Sequence, residues 1–442
     1  MRQKVVFLMK GWHMNAREKF IEFTNFNKSV PAVKWEFGYW GSAVKRWYKE
    51  GLPQKQYPQV PMNIINTTAS LYTTVWKHFL MGEKTLFEKV YNEPENKLEL
   101  PDGIGVLGGG IYFPSQGFAL DYDVREYFKM DPQQNVLCAE HLCFPHYKPE
   151  IIFEDNKYID YIDLDGCTRR FSKQQQVIPS GLDWPIKDWD SWNKMKEERM
   201  RLDNIKDRLP ENWTELVSEY KNRDYPLAFG GYPLGIFGTL THLIGYENLF
   251  LFYYDKPDLI KDILDRLTDI WIALWEEVLS FTDIDLCNLW EDISSGRGSM
   301  ISPSIVREFI LPYYKKISNF LKSKKINTFL VDTDGDCNEL VPLFKEAGIT
   351  GLYPMEVSAG MDVVSLRKKY PDLLLMGGIP KLDIKFGKAR INEFLEPVNW
   401  LLKQGGYIPF GDHLIPPEVS WDNFKYYREK LNSMIDRAIL KN

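Results

Sequence analysis

The residues able to do chemistry gather where short apolar runs end. Asp332-Thr-Asp334-Gly335-Asp336 follows Asn327-Thr-Phe-Leu-Val331, and in an extended strand residues 332 and 334 point to one side. Two such carboxylates repel each other unless a cation or a shared proton relieves them. Glu291 ends the run from Asp285, Glu356 ends the run from Gly351, and Asp412-His413 ends the run from Gly406. Glu291, Asp332, Asp334 and His413 offer three oxygen-bearing groups and one imidazole, a donor set that suits a divalent ion, zinc or a harder one. A metal-free polar pocket is the competing reading. In either case Asp334, His413, Glu291 and Asp332 are the expected catalytic groups; His413 is alternatively the general acid, since the reference pKa of an imidazole is near neutrality. Asp336 also fits a helix cap before Asn338.

Other residues are expected to bind substrate. Arg297, in the Gly-flanked loop Ser294-Ser-Gly-Arg-Gly298, can reach a carboxylate, though a loop Arg often meets only water. Glu356 stands at a strand end. Trp35, Tyr39, Trp40 and Tyr232 offer an aromatic wall, although packing is the commoner role of such rings. Cys138-x-x-His141-x-Cys143-x-x-His146 is too compressed to wrap four side chains around one ion, so buried thiols and structural histidines are expected. Gly103-Ile-Gly105-Val-Leu-Gly108 has dinucleotide-loop spacing, but no clear strand precedes it and no helix follows, so a turn is expected.

The elements that must position these groups alternate. Apolar runs at 226–232, 285–291, 327–332, 351–356, 373–378 and 406–412 are separated by helical candidates at 257–281, 304–322, 338–347 and 391–404. Repeated βα units imply a parallel sheet, and chemistry at the strand ends implies a (β/α)8 TIM barrel. Ala32–Gly38 fits the first strand. The chain then reads as one domain over 1–442, with main barrel units in 225–435. A long insertion after the first strand, about 50–220, covers the C-terminal mouth. Within it, alternation on either side of Asp165-Gly166 marks a hairpin over 158–171.

Composition narrows the class. The 442 residues carry 61 acidic and 55 basic side chains, a net charge of −6, which disfavours a nucleic-acid surface. No segment suits a membrane span, and the start is too weakly apolar for a secretion signal; Met14 is as good a first residue as Met1. Five Cys are too few for a disulfide scaffold, so a cytoplasmic protein is expected.

Taken together, the C-terminal half resembles the uroporphyrinogen decarboxylase family, which includes tetrapyrrole decarboxylases and cobalamin-dependent methyltransferases. The resemblance rests on Trp290-Glu-Asp-Ile, Ile301-Ser-Pro303, Phe309-Ile-Leu-Pro-Tyr-Tyr-Lys-Lys-Ile317, Asp332-Thr-Asp-Gly335, Glu346-Ala-Gly-Ile-Thr-Gly-Leu352, Leu375-Met-Gly-Gly-Ile379 and Gly405-Gly-Tyr-Ile-Pro-Phe-Gly-Asp-His413, in that order. Trp184-Pro-Ile-Lys-Asp188 extends it into the insertion. The Arg-rich loop and pyrrole-binding Asp of the true decarboxylases have no counterpart; after the first strand the chain reads Gly38-Tyr-Trp-Gly41, with only Arg46 nearby. Where the methyltransferases carry a zinc-binding His-x-Cys-Gly and a second Cys, this chain has Asp332-Thr-Asp334-Gly335 and Gly411-Asp412-His413. The resemblance therefore implies methyl transfer between a small methylated substrate and a corrinoid held by a partner protein, without thiol activation and with no covalently bound cofactor. The alternatives are a cofactor-free decarboxylase, acting on a small acid or on uroporphyrinogen III, and a non-catalytic binding barrel.

Overall fold

The computed structural model describes residues 14–53, 105–107, 122–132, 135–136, 141–148, 150–163, 165–172, 179–209 and 213–438. Its centre is a seven-stranded, wholly parallel sheet. The strands are β1 (Asn135–Val136), β2 (Leu227–Gly230), β3 (Leu286–Trp290), β4 (Thr328–Asp332), β5 (Gly351–Tyr353), β6 (Leu374–Met376) and β7 (Tyr407–Ile408). Each pairs with the next in chain order. β2, β4, β5 and β6 are buried along their whole length, which is why they read as continuous apolar runs rather than alternating ones. Strands that always add to the same edge follow the winding of a barrel; an open doubly wound sheet reverses its order partway.

Helices supply the crossovers. After β2 comes α1 (Ile236–Ile244), and then the long α2 (Pro257–Leu279), which starts on a proline. Leu259, Ile260, Ile263, Leu264, Leu267, Ile270, Trp271, Leu274, Trp275 and Val278 form its buried stripe, spaced three and four apart as a core-facing helix requires. α3 (Leu311–Ser323) is preceded by a π turn at Val306–Ile310. Pro312 accounts for that turn, because it has no N–H to offer Glu308 and its ring displaces that carbonyl.

The expected first strand, Ala32–Gly38, is not a strand of this sheet. Gly38–Trp40 pairs antiparallel with Gly105–Leu107, so the glycine-rich motif contributes a short strand at 105–107, with Gly103 and Gly108 outside the described residues. Residues 34–40 hydrogen-bond to residues that precede β1 in the chain and to residues that follow β7. Lys34 bonds Asp131 on one side (Asp131 N to Lys34 O, 3.2 Å). On the other, Trp40 N donates to Ile415 O (3.1 Å) and Ile415 N to Gly38 O (2.9 Å). Glu36, fully buried, accepts from Gly411 N and Tyr427 and pairs with Arg428 (3.3 Å) on the final helix α4 (Trp421–Arg437).

Within residues 50–220, β1 belongs to the central sheet, so that stretch is not wholly inserted. Its hairpin is observed: Tyr158–Ile162 pairs with Thr168–Ser172, flanked by Glu150–Glu154 and Ser180–Asp183 in a four-stranded antiparallel sheet. Asp163 makes the turn by accepting from Asp165 N and Cys167 N, an Asx arrangement. Among the described residues no helix is long and apolar enough to cross a membrane.

Candidate functional site

The C-terminal ends of β2 to β7 define the mouth. At the end of β3 the chain turns sharply, Asp292 taking φ +44°, and consecutive acids face different ways. Glu291 is fully buried and caps α1: Ile236 N donates to its Oε1 (2.7 Å), Phe237 N (2.7 Å) and Gly238 N (3.0 Å) to its Oε2. Helix and strand can approach this closely only because Gly235 and Gly238 carry no Cβ; one on Gly235 would lie 1.7 Å from Trp290 O. Burial drives the Glu291 carboxyl up to about 7, against the opposing hydrogen bonds of Tyr314 and the three amides.

Asp292, which sequence reasoning passed over, turns to the mouth instead. It accepts from Asp334 N–H and the Trp290 indole, and stands beside the charges of Asp334 and His413. Loss of hydration, followed by repulsion from Asp334, pushes its carboxyl well above the ordinary range. Asp334 Oδ2 lies 3.2 Å from His413 Nε2, while its Oδ1 is buried with no hydrogen-bond partner among the described residues. Burial disfavours the imidazolium of His413, yet the charge and hydrogen bond of Asp334 outweigh it and raise the pKa. Phe37 lies against the His413 ring at 4.6 Å.

Around this trio, Glu356 accepts from Gly335 N (3.2 Å) and meets Lys381 (3.4 Å), which is also 3.6 Å from Asp412. Asp412 in turn accepts from Val357 N and Lys381 N. Asp332 is buried at the end of β4, its carbonyl accepting Glu291 N. Thus Asp334 and His413 meet, whereas Glu291, Asp332, Asp334 and His413 do not form a three-residue group of ligand atoms within mutual reach. The carboxylate oxygens of Glu291 are occupied by amides. With no thiolate among them, these residues do not fit the zinc of thiol-activating methyltransferases.

The aromatic wall requires correction. Trp35 is fully buried, stacked on Phe20 at 5.3 Å, and Tyr39 is fully buried edge-on to Trp47 and Phe424; both are core, because their segment is wrapped by α4. Arg46 binds Glu50 and Pro417 O. Tyr232 is half-buried, edge-on to Trp290 at 4.8 Å. Arg297 is exposed at the tip of a small hairpin, Ser294–Ser295 paired with Gly298–Ser299, that anchors the Asp334 loop through Asp336 N to Ser295 O (2.8 Å). Cys138 lies outside the described residues; Cys143 is buried, while the His141 carbonyl accepts the Trp271 indole.

A second polar group lies behind Tyr232. Asp163, Cys167 and His242, all buried, bring ligand-type atoms within 4.8 Å of one another. The cation among them is a side chain: the Arg169 guanidinium is 3.2 Å from Asp163 Oδ2 and 2.9 Å from His242 Nδ1, and it hydrogen-bonds Cys167. Cys167 also donates to His242 O (3.0 Å), and His242 Nε2 lies 3.0 Å from Asp165 Oδ2.

Residues 172–433 match the sequence model of the family described as uroporphyrinogen decarboxylase (URO-D). The chain belongs to the uroporphyrinogen decarboxylase family. Its α/β fold with a parallel sheet agrees with the TIM barrel of that family. A solved methyltransferase from Methanosarcina mazei is similar at 18% identity and a TM-score of 0.41, over 62% of this chain and 75% of that one. No curated protein matches the sequence. Within a URO-D protein, the signal that could have found Asp292 is its place directly after Trp290-Glu291. A strand-end pair of acids must send one carboxyl each way, and only the backbone turn decides which.

Proposed function

We propose that this URO-D family member is a methyltransferase moving a methyl group between a small methylated substrate and a corrinoid carried by a separate protein, in the cytoplasm. The reading also takes residues 34–40 as the piece that closes the barrel and the antiparallel sheet as part of the cover over its mouth.

The observation that carries it is the trio at the mouth: Asp292, its carboxyl pushed up by burial and by the charge of Asp334, beside the Asp334–His413 pair at 3.2 Å. Breaking a methyl–heteroatom bond leaves an electron pair on the heteroatom. Asp292 supplies the proton that pair needs, and the imidazolium of His413, balanced by Asp334, stabilises the charge as it develops. The nucleophile that accepts the methyl group would come from the reduced corrinoid of the partner protein. An outside nucleophile agrees with the cysteines: Cys143, Cys167, Cys287 and Cys337 are buried, their thiols raised by burial, so none is a ready thiolate. Glu356 and Lys381 hold the rim, and Tyr232 with Trp290 makes the apolar side.

Binding a polyanion needs clustered cations. Among the described mouth residues Asp292, Asp334, Glu356 and Asp412 face only Lys381 and His413, which argues against tetrapyrrole decarboxylation. The exposed Arg297 keeps a small-acid decarboxylase as the second reading, with Asp292 protonating the carbanion.

The test mixes the protein with free cob(I)alamin and, separately, methoxylated and methylamine compounds, following conversion to methylcobalamin by absorbance. Substrate-dependent methylation that falls at least a hundredfold in Asp292→Asn supports the proposal. Carbon dioxide release from an acid with no corrinoid present overturns it.

A further inference from the structure

Asp163, Cys167 and His242 place a carboxylate oxygen, a sulfur and a ring nitrogen, all buried, within 4.8 Å of one another. Their lone pairs converge, because a single guanidinium, which only donates, serves all three. Arg169 reaches Asp163 Oδ2 at 3.2 Å and His242 Nδ1 at 2.9 Å, and it hydrogen-bonds Cys167. The imidazole is fixed from behind: Asp165 Oδ2 lies 3.0 Å from His242 Nε2, so Nε2 carries the ring proton and Nδ1 turns its lone pair inward. A carboxylate behind a histidine is the arrangement that orients a ligating imidazole in metal sites.

We infer that Asp163, Cys167 and His242 form a zinc site that clasps the 158–171 hairpin to α1, and that Arg169 holds the three ligands together until the ion enters. One sulfur, one imidazole and one carboxylate, with water in a fourth position, is a donor set that selects zinc over magnesium or calcium. When the ion binds, the Cys167 S–H bond breaks, its electron pair goes to the metal and the proton leaves to solvent; nothing is oxidised. A divalent ion with a thiolate carries the same net charge as a guanidinium with a thiol, so the exchange leaves the buried charge of the group unchanged. The guanidinium has a way out. Its Nη1 meets no acceptor among the described residues, its side chain keeps 10% exposure, and a long cationic side chain can carry its charge to water.

The surroundings favour a cation. Asp163 and Asp165 are both buried against the one guanidinium, and Asp165 Oδ1 has no hydrogen-bond partner among the described residues. Cys143 stands close by, its Sγ 3.8 Å from Asp165 O, but it does not join the three converging ligand atoms. The effect of the ion is mechanical. Cys167 and His242 lie 75 residues apart, and α1 is the helix whose N-terminus Glu291 caps at the mouth. The clasp therefore ties the antiparallel sheet to a helix that shapes the mouth. It is separate from the strand-end acids and does not depend on methyl transfer.

The test strips the full-length chain with a chelator, loads it with Zn2+, or with Co2+ as a spectroscopic probe, and dialyses it. The expected result is a single zinc retained per chain and, in the cobalt form, a thiolate-to-metal charge-transfer absorption. Cys167→Ser abolishes that absorption and Cys143→Ser leaves it. His242→Gln weakens zinc binding by about a hundredfold or more, and Asp165→Asn, which only loosens the ring, by about tenfold. Where Cys167→Ser does not fold, X-ray absorption of the wild-type zinc form decides, with one sulfur expected at about 2.3 Å beside nitrogen and oxygen at about 2.0–2.2 Å. Zinc that dialyses away, an absorption that follows Cys143 rather than Cys167, or a shell holding no sulfur or two overturns the inference. None of these readouts involves a methyl donor or a corrinoid, so methyl transfer through Asp292 stands or falls apart from them.

Discussion

Replacing Glu291 by Gln tests whether this buried carboxyl is a proton-holding helix cap. Its pKa is about 7 in the fold against roughly 4.3 in an unfolded chain. A group that binds its proton more tightly when folded costs nothing below its unfolded pKa, and native stability then falls as pH rises through the interval. At about 1.4 kcal/mol per unit the loss is roughly 3 kcal/mol between about pH 4.5 and 7, with no further change above. Gln has no proton to lose and shows no such slope, but its amide nitrogen faces the N–H groups of Ile236, or of Phe237 and Gly238. That clash adds a pH-independent cost of about 1–3 kcal/mol. Urea unfolding of both proteins, followed by tryptophan fluorescence between about pH 4.5 and 8, measures the difference. The expected result is a wild-type advantage that shrinks by roughly 3 kcal/mol across that range. An advantage constant with pH would refute the reasoning, because it would mean that the three amides and the helix dipole keep Glu291 ionised despite its burial.

Three further outcomes follow from the same geometry. Asp292→Asn keeps the fold but removes the mouth's proton donor: turnover falls about a hundredfold or more, and the alkaline limb of the pH–rate profile, where wild-type Asp292 loses its proton, disappears. Glu36→Gln strands the buried guanidinium of Arg428, and chemical denaturation is expected to show a loss of about 3–5 kcal/mol. Gly235→Ala drives a methyl group into Trp290 O and towards Glu291; circular dichroism and thermal melts should report a protein too destabilised to refold normally, whereas Gly296→Ala, with open space around it, leaves the melt unchanged.

Much of the sheet was legible in the sequence, because strands buried on both faces must be apolar throughout. The runs at 285–291 and 327–332 coincide with β3 and β4 within a residue or two. The helix expected over 391–404 is broken into Lys388–Leu395 and Val398–Gln404 at Pro397, a break that proline predicts. Trp35 and Tyr39 were misplaced because an aromatic ring on an extended segment reads alike whether it lines a cavity or a core; what decides is α4, nearly four hundred residues away. In the site, Asp334 and His413 could be paired from their strand-end positions. The exchange of roles between Glu291 and Asp292 could not, since it depends on one positive φ angle. The Arg169–His242 group escaped notice for another reason: its members come from a hairpin and a crossover helix, and no spacing in the chain joins them.

The lock between Glu36 and Arg428 has a consequence for how the protein is born. It joins positions 392 residues apart, and Phe37, next to Glu36, braces the ring of His413. The nearly four hundred residues between Glu36 and Arg428 must therefore be made before this lock can close. Until then the growing chain exposes the edges of a half-built sheet, and the segment that sets Phe37 against His413 waits for its anchor.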